Sequence, residues 1–490
     1  MTPVDYGAIA PAVIVAALVL VVLIADAFLP ARAKWLAMPM SLAGVLAALV
    51  ATLLLWGETR STFGGHYVVD NFTVLFQAFF LAAAAVVLAV SLRYMNEGGF
   101  YQGEYYFLLL TSFLGCVVMP ASRDLLMLFI ALELVSAPGF LMAAFRKADI
   151  KGNEGGLKFF IIGVLSTAMM LYGMSMIIGL TGATRLDEVA AGLAALGGSA
   201  RVLADASILF VVVGFAFKVS AVPFQFWAPD TYEGAPVPVA AFLAVASKAA
   251  GFAGLLQLMF VAFVTEYAFW VPMFAALSIM TMTVGNLVAL KQTQLVRLLA
   301  YSGIAQAGYM LLPFALVGAD AATNDQAFSA AVTYILIYGV MNLGAFAVAT
   351  AVSRRHPRLF IADFAGLVKT APVLAVGMTV FMVSLAGIPP TGGFWAKLII
   401  FQAAIGRGGI GIALAVIMLV NSVISIVYYF AVPRAMIFEE PETDEALRPA
   451  WSLTAVVAAA MIALIVIFVI PNAFAELGDL ATLNGVAAGG

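Results

Sequence analysis

The chain has 490 residues, of which 64% are hydrophobic and only 10% are charged, and its mean hydropathy is +1.09. No soluble globular domain of this size has such a composition, so the sequence predicts a polytopic membrane protein. The formal net charge of −3 gives no electrostatic basis for binding nucleic acid or for a polybasic lipid anchor. Lipid is therefore the expected surrounding, and nucleic acid is not an expected partner.

Apolar windows long enough to cross a bilayer recur along nearly the whole sequence. A hydrocarbon core of roughly 30 Å needs about 20 apolar residues per helix. The runs do not alternate apolar and polar residues as the strands of an outer-membrane barrel do, which leaves helices. We predict an all-α fold with about fourteen transmembrane helices, at residues 8–28, 35–56, 72–93, 104–120, 123–145, 157–180, 203–222, 236–263, 267–290, 296–317, 327–352, 372–405, 410–432 and 449–472.

Two connections between these spans are polar enough to interpret. Residues 181–201 are predicted to contain a short amphipathic helix between spans six and seven. The acidic segment 439–448 is predicted to be a solvated loop before the last span. The chain ends soon after the fourteenth span, so a further long amphipathic helix is not expected.

Lysine and arginine are distributed unevenly over the loops between the predicted spans. Fourteen lie in odd-numbered loops and five in even-numbered loops. Because positively charged loops remain in the cytoplasm, both termini are predicted on the outer side of the membrane. The odd-loop residues are Arg32, Lys34, Arg93, Arg146, Lys147, Lys151, Lys291, Arg297, Arg354, Arg355, Arg358, Lys369, Arg434 and Arg448, and the even-loop residues are Arg60, Arg123, Arg185, Arg201 and Arg407.

The twelfth predicted span, 372–405, is too long for one straight crossing. It contains the segment "SLAGIPPTGGFWAKLII", in which Pro389 and Pro390 cannot continue a helix and a lysine follows at position 397. We therefore predict two half-helices with a break between them. The segment around Pro223 has the same character, so helices seven and twelve are both predicted to be broken.

Five charged residues lie inside or at the edge of the predicted spans: Glu133, Lys158, Lys218, Lys248 and Lys397. A charge at the bilayer centre costs about 2.5 to 3.5 kcal/mol on insertion scales, so these residues are candidates for function. Structural ion pairs are the alternative for Glu133, Lys218 and Lys248. Lys397 is long enough to reach the interface, and Lys158 opens its span, where an interfacial role is equally open.

Buried lysines suit proton transfer. An amine removed from water gives up its proton more readily, and a nearby carboxylate reverses that effect. At an effective dielectric constant of about 20, the attraction within a Glu–Lys pair is about 4 kcal/mol at 4 Å and about 2 kcal/mol at 8 Å. Opening and closing such a pair therefore unloads or loads a proton, and a broken helix provides the water and the flexibility for this change.

No histidine lies in the predicted spans, so relay positions must use other polar groups. Gln225 and Gln306 are candidates. Ser302, Gln306 and Tyr309 recur at helical spacing and form a polar seam that either conducts protons or only joins helices. The sequence contains no metal-ligand cluster, no phosphate-binding loop and no recognisable nicotinamide, flavin or iron–sulfur site.

The two proline-broken segments indicate an internal duplication within a single domain, 1–490. "KVSAVPFQFWAPD" and "LAGIPPTGGFWAK" both combine a helix-breaking proline, Phe-Trp and a membrane lysine. Five-helix repeats at 104–263 and 267–432 with inverted topology would place these helices in matching positions.

Several segments together resemble the subunit N family of NADH-quinone oxidoreductase, respiratory complex I, over essentially the whole chain. They are "FKVSAVPFQFWAPDTYEGAPVPVAAFLAVASKAAGF", "LVRLLAYSGIAQAGY", "SLAGIPPTGGFWAK", "LELVSAPGF" and "EGGLKFFIIGVLSTAMMLYGMS". The antiporter-like subunits L and M and the multisubunit cation/proton antiporters share the broken helices and the central Glu and Lys. The "FWAPDTYEGAP" run, the lysine at position 397 and the absence of a C-terminal lateral helix favour subunit N.

This resemblance implies roles for the buried charges. Glu133 would pair with Lys218 in the input half, Lys248 would be the central relay, Lys397 would be the output lysine, and Lys158 matches a further charged position. Relatives often have histidine at the positions of Gln225 and Gln306, so a proton route through histidine does not transfer to this chain.

The resemblance also implies a proton-translocating subunit with no redox site of its own. NADH, FMN, iron–sulfur clusters and quinone are expected in partner subunits, and other antiporter-like and small membrane subunits are expected as neighbours in a bacterial cytoplasmic membrane. Moving a proton against 100 mV costs about 2.3 kcal/mol, so an outside energy source is required. The alternatives are a component of a multisubunit cation/proton antiporter and a scaffold whose ion pairs conduct nothing.

Overall fold

The computed structural model describes residues 4–98, 102–441, 443, 445–481 and 483, and most of these residues are helical. Its first ten helices are α1 Tyr6–Phe28, α2 Ala37–Leu53, α3 Asn71–Glu97, α4 Gln102–Val118, α5 Leu125–Ala143, α6 Ile150–Thr181, α7 Leu186–Ala194, α8 Ser199–Lys218, α9 Trp227–Gly234 and α10 Val237–Ala262. The remaining nine are α11 Tyr267–Ala289, α12 Leu295–Leu311, α13 Ala321–Ser353, α14 Leu367–Thr370, α15 Pro372–Ala386, α16 Gly392–Arg407, α17 Ile410–Phe438, α18 Trp451–Val469 and α19 Pro471–Leu480.

The structure confirms an all-helical polytopic membrane fold. Thirteen helical segments among the described residues are long and apolar enough to cross a membrane. The predicted twelfth span is not among them because it is divided into α15 and α16, two shorter helices. Thirteen continuous spans and one divided span account for the fourteen predicted from the sequence.

Both predicted helix breaks are present. α8 ends at Lys218, and Pro223, which has no N–H group to donate, lies in the segment before α9. α15 ends at Ala386 and is followed by Gly387, whose φ of +82° is the left-handed conformation typical of a helix C-terminus, and the two prolines separate it from α16. Each break therefore leaves helix ends inside the bundle.

The loops fall into two groups, the odd-numbered and the even-numbered loops. The side-chain bonds between loops join members of the same group. On the even-numbered side, His66 hydrogen-bonds Asp124 at 2.8 Å. On the odd-numbered side, Arg354 forms an ion pair with Glu97 at 2.6 Å, and the Gln294 side-chain amide donates to the backbone carbonyl of residue 358. This grouping is the one expected if every predicted span crosses the membrane once.

Three smaller elements complete the fold. The predicted amphipathic helix between spans six and seven is confirmed as α7. An antiparallel hairpin, β1 Arg60–Thr62 and β2 Tyr67–Val69, lies between α2 and α3 and was not predicted. α19 follows the last span and is tied to α13 by a bond from Ser329 to Asp479.

Burial identifies the centre of the bundle. α10 is buried along its whole apolar window, and α12 and α13 nearly so, whereas only about a third of α1, α6, α17 and α18 is buried. The outer helices expose leucine, valine and isoleucine, as expected for a surface in contact with lipid. Side chains on α10, α12 and α13 are therefore shielded both from lipid and from water.

The second break depends on a glycine. A Cβ at Gly393, in the first turn of α16, would lie 1.8 Å from the backbone oxygen of Ser384 on α15. We expect Gly393→Ala to destabilise the protein by about 1 to 3 kcal/mol, because the two half-helices must separate to make room. The measurement is the unfolding temperature in detergent together with the amount of folded protein recovered from membranes.

The matched control for that substitution is Gly179→Ala in α6. A Cβ at Gly179 meets no atom within 4 Å, and alanine favours a helix interior over glycine. Its unfolding temperature should be unchanged or slightly raised. Equal unfolding temperatures for the two variants would contradict the packing described for the break.

Candidate functional site

Three of the predicted lysines lie deep in the bundle. Lys218 and Lys248 are each 2% exposed and Lys397 is 8% exposed. The ammonium nitrogen of each lysine bonds to an oxygen that carries no charge, and none of the three forms a salt bridge among the described residues. The structure therefore contains three deeply buried amines without a carboxylate counterion.

Lys218 is the last residue of α8, directly before the first break. Its Nζ donates to Ser136 Oγ on α5 at 2.8 Å. Glu133 lies one turn before Ser136, is partly exposed, and accepts a hydrogen bond from Thr167 Oγ1 at 3.0 Å. The expected Glu133–Lys218 ion pair is therefore not formed in this conformation, in which the ammonium group contacts Ser136.

Lys248 lies on α10 directly after a π-helical turn, Leu243–Ser247. Its Nζ donates to the backbone oxygen of Gly303 on α12 at 2.7 Å. The packing is close here, since a Cβ at position 303 would lie 3.2 Å from this Nζ and 3.0 Å from the Tyr338 hydroxyl. The Tyr338 hydroxyl is buried and has no hydrogen-bond partner in the described structure. π-Helical turns often mark functional positions because they displace a side chain from the regular helix register.

Two members of the seam predicted on α12, Ser302 and Gln306, belong to a hydrogen-bonded group that continues onto neighbouring helices, whereas the Tyr309 hydroxyl accepts from Asn286 Nδ2 at 3.1 Å. Ser302 Oγ and Tyr429 Oη are 2.5 Å apart, and Gln306 Nε2 donates to Tyr429 Oη at 3.1 Å. Tyr334 donates to Gln306 Oε1. Every member is buried. Gln306 thus both donates and accepts, as an amide can and a neutral imidazole with one N–H also can.

Lys397 lies at the far end of this seam, beside the second break. Its Nζ donates to the backbone oxygen of Ala386 at 2.8 Å, a carbonyl at the C-terminus of α15. The same Nζ lies 4.8 Å from the ring centre of Tyr309, a cation–π distance. Gly303 and Tyr309 are six residues apart on α12, or about 9 Å along the axis, so α12 connects the positions of Lys248 and Lys397.

The side chain of Lys218 packs against α10, the helix that carries Lys248. A Cβ at Gly251, one turn after Lys248, would lie 2.9 Å from Cγ of Lys218, so the stem of Lys218 lies against α10. Gln225 lies in the break after α8 and is 8% exposed, and its side-chain oxygen has no hydrogen-bond partner in the described structure. The two glutamines thus occupy different places, Gln225 at the first break and Gln306 in the seam.

Lys158 does not join the buried lysines. Its side chain is 43% exposed, and its Nζ pairs with Asp230 at 2.6 Å and with Glu154 at 2.7 Å. Asp230 also pairs with Arg297 at 2.8 Å, and Arg297 pairs with Glu233 at 2.7 Å. Lys158 therefore belongs to an ion-pair network on the odd-numbered loop side.

This network joins the two predicted repeats and was not predicted from the sequence. Asp230 and Glu233 lie on α9, directly after the first break, and Arg297 lies on α12, the helix that carries the seam. Burial alone would raise the pKa of Asp230, but hydrogen bonds from Lys158 and Arg297 hold it below its ordinary value. The available signal was the pair of acidic residues in "FWAPDTYEGAP" and the arginine in "LVRLLAYSG".

The remaining chemistry of the described residues is sparse. They contain no group of three or more His, Cys, Asp or Glu placed to hold a metal ion. Cys116 is buried, and its thiol lies 3.9 Å from a backbone oxygen. The candidate functional groups are thus the three buried lysines, the polar seam between Lys248 and Lys397, and Glu133 on α5.

Comparisons with known proteins agree on one family. Residues 122–425 match the family described as NADH:quinone oxidoreductase/Mrp antiporter, TM. NADH-quinone oxidoreductase subunit N of Trichlorobacter lovleyi is 40% identical over 442 residues, which cover 90% of this chain and 89% of that protein. The similarity therefore covers most of the length of both proteins.

Solved structures show the same fold. A chain of respiratory complex I from Thermus thermophilus superposes with a TM-score of 0.80 at 32% identity, covering 96% of this chain and 99% of that one. A chain of the Mrp complex from Dietzia sp. has a TM-score of 0.84 at 19% identity, covering 99% of this chain and 98% of that one. At that identity the second match shows a shared fold and nothing more.

The ion-pair network yields a stability prediction. Arg297→Gln removes the cation shared by Asp230 and Glu233, which are only partly exposed, and leaves two carboxylates facing each other with fewer partners. We expect a loss of about 1 to 3 kcal/mol, measured as a lower unfolding temperature in detergent. Arg355→Gln is the control, because its partner Glu445 is 83% exposed and such surface pairs contribute little. If both variants unfold at the same temperature, the network does not stabilise the fold.

Proposed function

Because the chain belongs to the subunit N family of NADH-quinone oxidoreductase, respiratory complex I, we propose that it moves protons across the membrane through Lys218, Lys248 and Lys397. The chain is an antiporter-like membrane-arm subunit of that complex. Quinone reduction elsewhere in the complex would supply the energy. Membership in the family is established by the comparisons, and the route through these lysines is the proposed part.

The observation that carries the proposal is the lack of a counterion at three buried amines. Removing a charged amine from water without a partner costs several kcal/mol, so a purely structural role would favour paired or apolar residues. The chain can provide a counterion where structure requires one: Arg123, 6% exposed, pairs with Asp70 at 2.7 Å. A scaffold held together by ion pairs would not leave all three lysines with neutral oxygen partners.

The proposed route runs from Lys218 to Lys248 and then along the seam to Lys397. Lys218 packs against the turn of α10 that follows Lys248, and Lys248 contacts α12 at Gly303. From there Ser302, Gln306, Tyr334 and Tyr429 provide a connected set of hydroxyl and amide groups. The unpartnered Gln225 amide oxygen at the first break and the unpartnered Tyr338 hydroxyl near Lys248 offer hydrogen bonds to water along this route.

Glu133 is proposed as the charge that controls Lys218. In this conformation Ser136 contacts the ammonium group, and Glu133 is held by Thr167 on α6. The attraction within a Glu–Lys pair is about 2 kcal/mol stronger at 4 Å than at 8 Å, so approach of the carboxylate would favour the protonated lysine. In this proposal, separation of the pair favours release of the proton from Lys218.

We also propose that 104–263 and 267–432 are inverted repeats. α4 packs against α5 as α11 packs against α12, and α6 packs against α8 as α13 packs against α16. Each set contains one broken helix with a buried lysine beside the break. Matching half-channels of this kind give one lysine at entry, one at exit and Lys248 between them.

The proposed neighbouring subunits and membrane orientation follow from membership in the subunit N family. Other antiporter-like and small membrane subunits are the proposed neighbours, and NADH, FMN, iron–sulfur clusters and quinone belong to partner subunits. We place the chain in a bacterial cytoplasmic membrane with the arginine-rich odd-numbered loops inside and both termini outside. Lys158 then lies on the cytoplasmic side, in the network that joins α6, α9 and α12.

The proposal is tested by Lys218→Ala and Lys397→Ala in the assembled complex. NADH-driven quinone reduction and proton pumping are measured in membranes, and assembly is checked on native gels. Loss of the amine should reduce pumping at least tenfold, with quinone reduction falling as well because the two processes are coupled. Lys291→Ala, an exposed loop lysine without a described partner, should leave both activities unchanged.

Two other results would assign a different function. Normal pumping in the assembled lysine variants would show that the lysines do not carry protons. Proton flux that requires sodium or potassium and proceeds without NADH would instead support a cation/proton antiporter, whose fold this chain shares.

Gly303 offers a test that removes no polar group. In Gly303→Ala the new methyl group would approach both Lys248 Nζ and the Tyr338 hydroxyl, so the amine would be displaced from its carbonyl partner. We expect pumping to fall about three- to tenfold while the KM for quinone is unchanged, because the quinone site is elsewhere. Gly197→Ala, which meets no atom within 4 Å, serves as the control. Full pumping in an assembled Gly303→Ala complex would contradict the role assigned to this contact.

A further inference from the structure

A buried asparagine joins three helices of the second predicted repeat. Asn286 lies on α11 and is fully buried. Its Nδ2 donates to Tyr309 Oη on α12 at 3.1 Å and to Asn421 Oδ1 on α17 at 3.2 Å. Its Oδ1 accepts a hydrogen bond from Tyr428 Oη, also on α17, at 2.9 Å. One amide therefore uses both its N–H groups and its carbonyl oxygen inside the bundle.

Close contact between the backbones of α11 and α12 brings this asparagine and the tyrosine of α12 together. A Cβ at Gly285, directly before the asparagine, would lie 2.5 Å from the backbone nitrogen of Ala305 on α12. A Cβ at Gly308, directly before the tyrosine, would overlap the backbone nitrogen of Met282 on α11. The two helices therefore approach this closely because both positions lack a side chain.

The polar side-chain atoms of this group are all satisfied. Asn286, Tyr309, Asn421 and Tyr428 each bond through every side-chain nitrogen and oxygen. The buried hydroxyl of Tyr338, in contrast, has no partner in the described structure. A buried polar network in which every member is satisfied specifies a single arrangement of its members. The hydroxyl of Tyr309 is therefore held at one position.

Tyr309 carries this constraint to Lys397. The lysine Nζ lies 4.8 Å from the centre of the tyrosine ring and donates to the backbone oxygen of Ala386 at 2.8 Å. The face of an aromatic ring attracts a cation, and the attraction is stronger where water is excluded. Since no described carboxylate pairs with this lysine, the ring and the carbonyl are the groups that hold the ammonium. A tyrosine side chain is rigid, so holding its hydroxyl also holds its ring.

We propose that Asn286 is a positioning residue for Lys397, because through Tyr309 it fixes the place at which the amine accepts and releases its proton. The proposal depends on the role in proton transfer proposed above for this lysine. The hydrogen bonds of the predicted seam agree with it, since the other two seam residues bond to Tyr429 and the tyrosine at 309 bonds instead to α11. Tyr309 thus supports the end of the route and is not one of its hydrogen-bonded links.

The test measures NADH-driven proton pumping in membrane vesicles that contain the assembled complex. Tyr309→Phe and Asn286→Leu each remove the hydrogen bond between the two residues, and the double variant removes both partners. Because the two residues act through one bond, we expect all three variants to lower the pumping rate about threefold, with no further loss in the double variant. Tyr309→Leu also removes the ring and should lower the rate about tenfold.

Ser278→Ala is the matched control. Ser278 Oγ donates to the backbone oxygen of Gly308 at 2.7 Å, so this substitution removes another buried bond between α11 and α12 and leaves the tyrosine side chain in place. Its pumping rate should be unchanged. Native gels establish that each variant is assembled. If Asn286→Leu does not assemble, Tyr309→Phe still removes the same bond by a smaller change.

Lys397→Ala is measured in parallel to separate this inference from the proposed function. Normal pumping in assembled Lys397→Ala would overturn the proposed function and this inference with it. If Lys397→Ala loses pumping and assembled Tyr309→Phe retains the full rate, only the positioning role is overturned. Losses that multiply in the double variant would show that the two residues act separately as helix contacts, which also overturns the positioning role.

Discussion

Three amines held inside an apolar bundle by neutral oxygen atoms are the constraint on which the rest of this structure depends. Lys218, Lys248 and Lys397 bond to a serine hydroxyl and to two backbone carbonyls. A dipole compensates less of the lost solvation of an ammonium group than a carboxylate does. This arrangement is the basis of the proposal that these lysines accept and release protons.

The irregular parts of the fold serve this constraint. The break between α15 and α16 places the carbonyl of Ala386 where Lys397 can reach it, and the π-helical turn precedes Lys248. Each of the three lysines also lies against a glycine, at positions 251, 303 and 387, where a Cβ would come within 3.3 Å of the lysine side chain. Long side chains thus fit into a tightly packed bundle because the facing backbone carries no side chain.

The charged groups of the ion-pair network follow the opposite rule. Lys158, Arg297, Asp230 and their neighbours are partly exposed and fully paired, and they join the two predicted repeats at one end of the bundle. Arg123 is buried but paired with Asp70. Paired charges hold elements together, whereas the unpaired amines lie along the centre. This separation is a physical basis for the proposal that the paired charges serve structure and the unpaired amines transfer protons.

The sequence by itself determined the membrane environment, the spans, both helix breaks and the buried lysines, because these depend on hydropathy, proline and charge along the chain. It also placed Ser302, Gln306 and Tyr309 on one side of α12, since helical spacing is a local property. Only the tertiary structure decided which oxygen each amine contacts, because those partners lie more than fifty residues away in two of three cases. It likewise decided that Lys158 is paired at the periphery and that Glu133 is separated from Lys218 by Ser136, since neither follows from position within a span.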